Sequence, residues 1–410
     1  WDKAAKSWYV PQGADPQPFQ RWSLERVRTV AQKTDPAEQF ADALRDMGLV
    51  IKDAPVMDGQ LYRVPALGDR QGQKSGAYVG HLDGQAAGFI ENFKTGERRN
   101  WKSASTPALT EAERAQLAAE SAAWRAERDE ARQLVHDETV RLLRAHLEGL
   151  PSAEKDAHPY LARKDVYGHG VLLNTKGSLA ISGDREGPQS WSAEGDLIVP
   201  IQNIDGQLVG AQSIDVEGRK FFPRGASWKG GFHVVGQTGD ISAYDPARPV
   251  VIVEGFSTGA TIYEKTNLPV VVAFTAGNLT AVAEAIRTAH PERQIIIAGD
   301  NDHFRERETL PDGRTQPNPG RKAAEKAAAA VGGFALLPRF EVGDKGSDWN
   351  DLAVDHGKAV FNQQWQAGMT AAERHFEVRR IATARGGQQE AQTPMQEQAR
   401  EQPARASARR

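Results

Sequence analysis

The chain has 410 residues, a formal net charge of -3 from 51 basic and 54 acidic side chains, and no cysteine. The length suits two to four domains, and the missing cysteine excludes disulfides, thiolate zinc sites and a cysteine nucleophile. The near-neutral charge confines any nucleic-acid surface to a local patch, and no apolar run reaches the roughly 18 residues of a membrane span.

The first residue is Trp1 rather than Met, so a fragment of a longer protein is expected, with residues 1–33 as a remnant and linker rich in Trp, Lys and Pro. No signal peptide is visible, which makes the cytoplasm the expected location. Residues 34–105 read as a small α+β unit. A helix is predicted over 35–47, with Pro36 at its start and Gly48 at its end. Four strand-like pieces follow: QLYRVPA, SGAYVGHL, AAGFIENF and RRNWK. Asp58-Gly59, Asp83-Gly84 and Thr95-Gly96 supply turn signals between them. Basic and aromatic residues interleave here (Tyr62, Arg63, Lys74, Tyr78, Phe93, Lys94, Arg98, Arg99, Trp101, Lys102), a pattern of a sheet that binds single-stranded nucleic acid or of an ordinary solvated face.

Residues 106–150 contain no strong breaker and predict a long helix or helical hairpin with a scaffold role. Residues 151–245 read as a mixed α+β subdomain with a basic character. HPYLARKDVYGHGV (158–171) brings Arg163, Lys164 and His169. Residues 195–236 then predict a β-meander turning at Asp205-Gly206 and Glu217-Gly218. Lys220, Arg224 and Lys229 alternate there with Phe221, Phe222, Trp228 and Phe232, which suggests a phosphate-binding wall.

Residues 246–360 carry the pattern that organises the chain. VVIV (250–253), VVVA (270–273) and IIIA (295–298) alternate with helix-like segments, as in a parallel sheet with crossover helices. In such sheets the chemistry lies at the carboxyl ends of the strands. Glu254 ends the first run, and Asp300 and Asp302 end a later one. Three hard oxygen donors suit Mg²⁺ or Mn²⁺ and in-line attack at phosphorus. Asp348 and Asp351 in GSDWNDLAVDHG (346–357) are possible additions to the acidic set. A helix is expected over 361–385 and a disordered tail over 386–410.

A rival motif overlaps the first strand end. Gly255-Phe256-Ser257-Thr258-Gly259 fits the G-x-S-x-G elbow of α/β hydrolases, with Asp300 or Asp302 and His303 or His356 downstream. The preceding meander, the missing HGGG segment and the unexplained carboxylates argue against it. The metal reading makes Ser257 and Thr258 helix caps.

Glu254-Gly255 and Asp300-x-Asp302 resemble the motifs of a Toprim domain, the catalytic module of bacterial-type primases, some topoisomerases and some nucleases. EGFSTGATIYE, AFTAGNL, AGDND, DWNDLA and HPYLARK are similar to primases of conjugative plasmids and satellite phages, and 195–236 is similar to the basic subdomain before Toprim in bacterial primases. The resemblance covers about 157–357 and implies a primase that makes short RNA primers on single-stranded DNA from nucleoside triphosphates. It implies Glu254 as a catalytic acidic residue and metal ligand, and Asp300 and Asp302 as Mg²⁺ ligands. It implies Lys220 and Lys229, with Arg163 and Arg224, as template or nucleotide contacts. No zinc ribbon is expected, and a helicase or relaxase would be a separate partner. A Toprim nuclease, or a non-catalytic nucleic-acid-binding module of a DNA mobilisation protein, are the alternatives.

Overall fold

The computed structural model describes residues 35–82, 85–103, 111–182, 188–236, 239–307 and 315–400. It divides into two compact units, residues 1–131 and 132–410.

In the first unit, helix α1 (Pro36–Asp46) starts where Asp35 accepts a hydrogen bond from the Ala37 N–H at 3.1 Å, with Pro36 in its first turn. It ends before Gly48, whose φ of 73° supplies the left-handed exit. Strands β1 (Asp58–Val64), β2 (Gly76–His81), β3 (Ala87–Asn92) and β4 (Glu97–Lys102) form an antiparallel meander. Asp58-Gly59 lies within β1 and not in a turn, while Asp83-Gly84 lies outside the described residues. The fully buried Phe40 of α1 seats its ring over Gly80 and Gly88, which face one another across β2 and β3.

The aromatics expected on a nucleic-acid surface mostly turn inward. Phe40 packs against Trp101 at 4.9 Å and Tyr78 at 5.7 Å, and Tyr62 stacks on Tyr78 at 5.4 Å. Burial of these large rings gives the small unit its core. Several cations have local partners: Arg98 pairs with Glu91 at 2.6 Å, Lys94 with Asp69 at 3.4 Å, and Arg63 lies over Phe93 at 4.2 Å.

Residues 111–147 form one continuous helix, α2 (Glu111–Leu147), and not a hairpin. The second unit continues with the short helix α3 (Pro159–Lys164), strand β5 (Leu172–Leu173) and the hairpin β6 (Leu179–Ser182) and β7 (Pro188–Trp191). Strands β8 (Leu197–Gln202), β9 (Leu208–Ile214) and β10 (Lys220–Phe221) are the expected meander, in a sheet of order β10-β9-β8-β5. Gly206 and Gly218, with φ of 76° and 87°, make its two turns.

The segment then changes sheets. Strand β11 (His233–Val235) is the antiparallel edge of a five-stranded sheet with β12 (Val250–Val253), β13 (Val270–Val272), β14 (Ile295–Ala298) and β15 (Phe334–Leu336), in the order β11-β13-β12-β14-β15. The last four are parallel to one another. The division at 245 expected from sequence therefore cuts through a shared sheet. Helices α4 (Phe256–Thr266), α5 (Leu279–Ala289) and α6 (Pro319–Val331) are the crossovers.

The continuous apolar runs are explained by burial on both faces. Val251, Val253, Val270 and Val272 face one core with Ala260, Trp349, Phe361 and Trp365, whereas Val250, Ile252, Val271 and Ile297 face the other with Val282, Ile286 and Ala327. The final helix, α7 (Trp349–Arg400), is broken at Gly357, where φ is 83°. A short helical stretch at 349–356 precedes the break, and Phe361 and Trp365, one turn apart beyond it, pack back on Trp349 at 5.5 and 5.1 Å. The helix continues through 386–400, where disorder was expected, although Gly386, Gly387 and Pro394 are poor helix residues; the rest of the expected tail, 401–410, lies outside the described residues.

A Gly88→Ala substitution tests the seat of Phe40. Its Cβ would meet the Phe40 ring and lie 2.8 Å from the Val79 carbonyl oxygen. The expected cost is roughly 1–3 kcal/mol, read as a lower midpoint in chemical denaturation. An unchanged midpoint would show that the ring is not confined there.

Candidate active site at the carboxyl edge of the parallel sheet

Strand β12 delivers Glu254 to the sheet edge. Gly255 caps α4 with its backbone alone, in an extended conformation, and a side chain at that position would lie 3.6 Å from Lys220 Nζ. Lys220 thus sits over the Glu254-Gly255 turn. Burial raises the Glu254 pKa, the Lys220 charge opposes it, the Asp302 and Asp348 charges add to it, and the Ala276 N–H stabilises the carboxylate.

Ala276 belongs to a turn that is held under strain. Phe274 has φ of 69° and is buried, a conformation that costs a bulky residue about 1–3 kcal/mol. Buried Asn278 secures the turn. Its Nδ2 donates to the carbonyls of Ala273 at 3.0 Å and Gly231 at 2.9 Å, and its Oδ1 accepts the Gly230 N–H at 2.8 Å. The loop carrying Lys229 is tied by these bonds to the turn that serves Glu254.

Strand β14 delivers Asp300 and Asp302 through Gly299. Asn301, between them, is buried and fixes the loop: its N–H donates to Ser347 O at 2.6 Å and its Nδ2 to Pro338 O at 2.7 Å. Asn318, the cap of α6, donates to Asn301 Oδ1 at 2.8 Å and accepts the Asp302 N–H at 3.1 Å. Asp302 Oδ2 accepts the Gly320 N–H at 3.0 Å. Gly320 cannot carry a side chain without displacing Asp300, since a Cβ would stand 2.5 Å from Asp300 O.

Asp300 Oδ1 is buried and has no hydrogen-bond partner. Its pKa is raised to about 8 by burial first and then by the charges of Glu254, Asp348 and Asp302, with Lys220 opposing. Asp348 caps α7, accepting the Asp351 N–H at 2.8 Å, and also takes a hydrogen bond from the Thr258 side chain. Burial and the Asp351 charge raise its pKa.

The structure gathers Glu254, Asp300, Asp302, Asp348 and Lys220 at one sheet edge, as the mutual charge effects show. Asp351 turns away and pairs with Lys164 at 2.9 Å. Arg163 is exposed and reaches Val216 O at 3.4 Å. Arg224 and Lys229 are exposed on the loop between β10 and β11. Sequence reasoning missed Asn278, Asn301 and Asn318, and noted Lys164 beside Arg163 without giving it a role. Only Asn318 had a readable signal, as an Asn before Pro at a helix start.

The hydrolase alternative finds no support. Ser257 is 3% exposed, within the first turn of α4. His303 Nε2 lies 3.1 Å from Gly346 O, and His356 pairs with Asp344 at 3.2 Å. The expected capping by Ser257 and Thr258 is also corrected: no side chain caps α4, and Thr258 is drawn to Asp348.

A divalent cation fits the donor set by chemistry, because a buried carboxylate oxygen without a partner among other carboxylates lacks a counter-charge. The ligands are not drawn around one point: among the described residues no three His, Asp or Glu form a closed metal group.

The sheet ends in Glu-Gly and Asp-x-Asp, and residues 249–359 match the family model described as the Toprim domain. Two proteins of Escherichia coli named DNA primase TraC are 38% and 37% identical to this chain over 348 and 346 residues. Those matches cover 84% and 83% of this chain but only 30% and 22% of the relatives, so the chain spans less than a third of either. Residues 1–23 match a domain of unknown function (DUF5710). A solved structure, the DnaG primase catalytic domain bound to ssDNA, aligns with 59% of this chain and 82% of its own at 13% identity and a TM-score of 0.37.

The raised Asp300 pKa sets a pH test in metal-free protein. The folded state holds this proton up to about pH 8, the unfolded state only to about 3.8. Stability from this group is therefore full below about pH 4 and is lost as pH rises through about 8. Asp300→Asn should flatten the fall of melting temperature between these values, and Mg²⁺ should raise the wild-type melting temperature most at the alkaline end. Parallel pH curves for wild type and variant would contradict the assignment.

Proposed function

We propose that the chain is the catalytic part of a DNA primase, making short RNA primers on single-stranded DNA during plasmid conjugation or plasmid or phage replication. The observation that carries the reading is the meeting of Lys220 with Glu254, Asp300 and Asp302 at the Toprim sheet edge. The similarity to DNA primase TraC over most of this chain supports it.

In this reading Glu254, Asp300 and Asp302 hold Mg²⁺ or Mn²⁺, with Asp348 beside them. A bound divalent ion supplies charge neutralisation at the α-phosphate and at the departing pyrophosphate. Lys220 holds nucleotide phosphate over the Glu254-Gly255 turn, and Lys229 and Arg224 hold the template or nucleotide backbone from the adjoining loop. Arg163 extends that basic surface on α3. Glu254, whose proton affinity is raised by burial, takes the proton of the attacking 3′-hydroxyl. A helicase or relaxase acts as a separate chain. In this reading the enzyme works in the cytoplasm. Among the described residues no helix is long and apolar enough to cross a membrane.

Single-stranded DNA, labelled ribonucleotides and Mg²⁺ test the reading. Wild type should give nucleotide-dependent products, and Asp300→Ala or Asp302→Ala should reduce them by at least about a hundredfold. DNA shortened without nucleotide incorporation would replace the primase with a nuclease. Binding with neither product would leave a non-catalytic module.

The phosphate role has its own measurement. Lys220→Ala or Lys229→Ala should lower the salt dependence of DNA binding by about one unit of logarithmic slope. An unchanged slope for either residue would remove it from the phosphate contacts.

A further inference from the structure

Among the cations of the basic subdomain, Lys164 differs from its neighbour Arg163. The two are consecutive in α3, so their side chains diverge by about 100° around the helix. Arg163 is exposed, whereas Lys164 is half-buried, its side chain 27% exposed, with its Nζ 2.9 Å from Asp351 Oδ1. The partners are 187 residues apart in sequence.

The pair begins a continuous chain of bonds. Asp351 Oδ2 accepts the Ser347 N–H at 3.1 Å, and Ser347 O accepts the Asn301 N–H at 2.6 Å. Asn301 stands between Asp300 and Asp302. A second tie parallels the first: Asn350 Nδ2 donates to Lys164 O at 2.7 Å and to Thr261 Oγ1 of α4 at 2.8 Å. The end of α3 is thus gripped through main chain and side chain by the first turn of α7.

We propose that Lys164 is a positioning residue of the acidic centre, which acts through Asp351 and does not grip phosphate. Its ammonium is committed to Asp351 in a partly buried pair, where leaving the carboxylate uncompensated is costly. The pair fixes the loop at 346–351, and through Ser347 and Asn301 it holds the Asp300–Asp302 loop in register with the subdomain that carries Lys220. Asp351, which its acidic neighbourhood suggests as a further metal ligand, is assigned to this pair instead. The inference rests on the primase reading for its activity readout, but the bond chain itself does not.

The test uses the 410-residue chain with Lys164→Met, Asp351→Asn and Lys164→Arg. Lys164→Met and Asp351→Asn should each lower kcat for primer synthesis about ten- to a hundredfold, as displacement of reacting groups does. Single-stranded DNA affinity and its salt slope should stay within about twofold of wild type, because no phosphate contact is lost. Lys164→Arg, which keeps a cation opposite Asp351 and leaves the Asp351 Oδ2 link to Ser347 in place, should keep at least about a third of the activity that Lys164→Met loses. Loss of affinity and salt slope with kcat intact would make Lys164 a phosphate contact and overturn the proposal. So would a Lys164→Arg variant no better than Lys164→Met while melting like wild type.

Amide hydrogen exchange separates this proposal from the primase reading. In Lys164→Met, residues 299–303 and 346–351 should exchange faster together while strand β12 stays protected. Unchanged exchange there would overturn the proposal whether or not wild type makes primers. If wild type makes none, the primase reading fails, and exchange alone decides the role of Lys164.

Discussion

Asp300 imposes the main constraint on this fold. A carboxylate with a buried, unpartnered oxygen is held beside Glu254, Asp302 and Asp348, with Lys220 as the opposing charge. Like charges in a partly dry setting repel strongly, and a flexible loop would relieve that by moving apart. The surroundings prevent it. Asn301 and Asn318 fix the backbone between Asp300 and Asp302, Gly320 presses against Asp300, and β14 is buried on both faces. The cost of the acidic cluster is carried by the packing of the whole parallel sheet.

That division of labour explains what was legible in the sequence. The doubly buried strands could be read as unbroken Val/Ile runs, and the acidic residues could be read because they interrupt those runs where parallel sheets place their chemistry. Charge and position together found Glu254, Asp300, Asp302 and Lys220. The residues that hold them were invisible for a physical reason. Asn278, Asn301 and Lys164 work through bonds to distant segments, and a single sequence carries no pairing information across 187 residues. Arg163 looked as good as Lys164 until the helix rotated one outward and the other inward.

The mismatches have the same origin. Interleaved aromatic and basic residues in the first unit describe equally well a stacking surface and a sheet with one buried face. The seat of Phe40 over two paired glycines selects the second for Tyr78, Tyr62 and Trp101. G-x-S-x-G likewise fits both an exposed elbow and a buried helix start, and burial of Ser257 decides between them. The last helix was misjudged because its early aromatic contacts are tertiary, and its later polar residues lack the stripe by which helices are usually recognised.

Strand β11 bears on how this chain can be divided. It lies before β12 in sequence yet closes the far side of β13, so the basic subdomain supplies the last strand of the five-stranded sheet. A fragment trimmed to the Toprim motifs would leave the three valines of β13 along an open edge, a template for aggregation through strand pairing. Pairing β11 with β13 also makes folding wait for a contact between segments some 35 residues apart, which slows folding relative to a local hairpin. An expression boundary placed before His233 keeps that edge covered, and the two subdomains are expected to unfold in one cooperative transition.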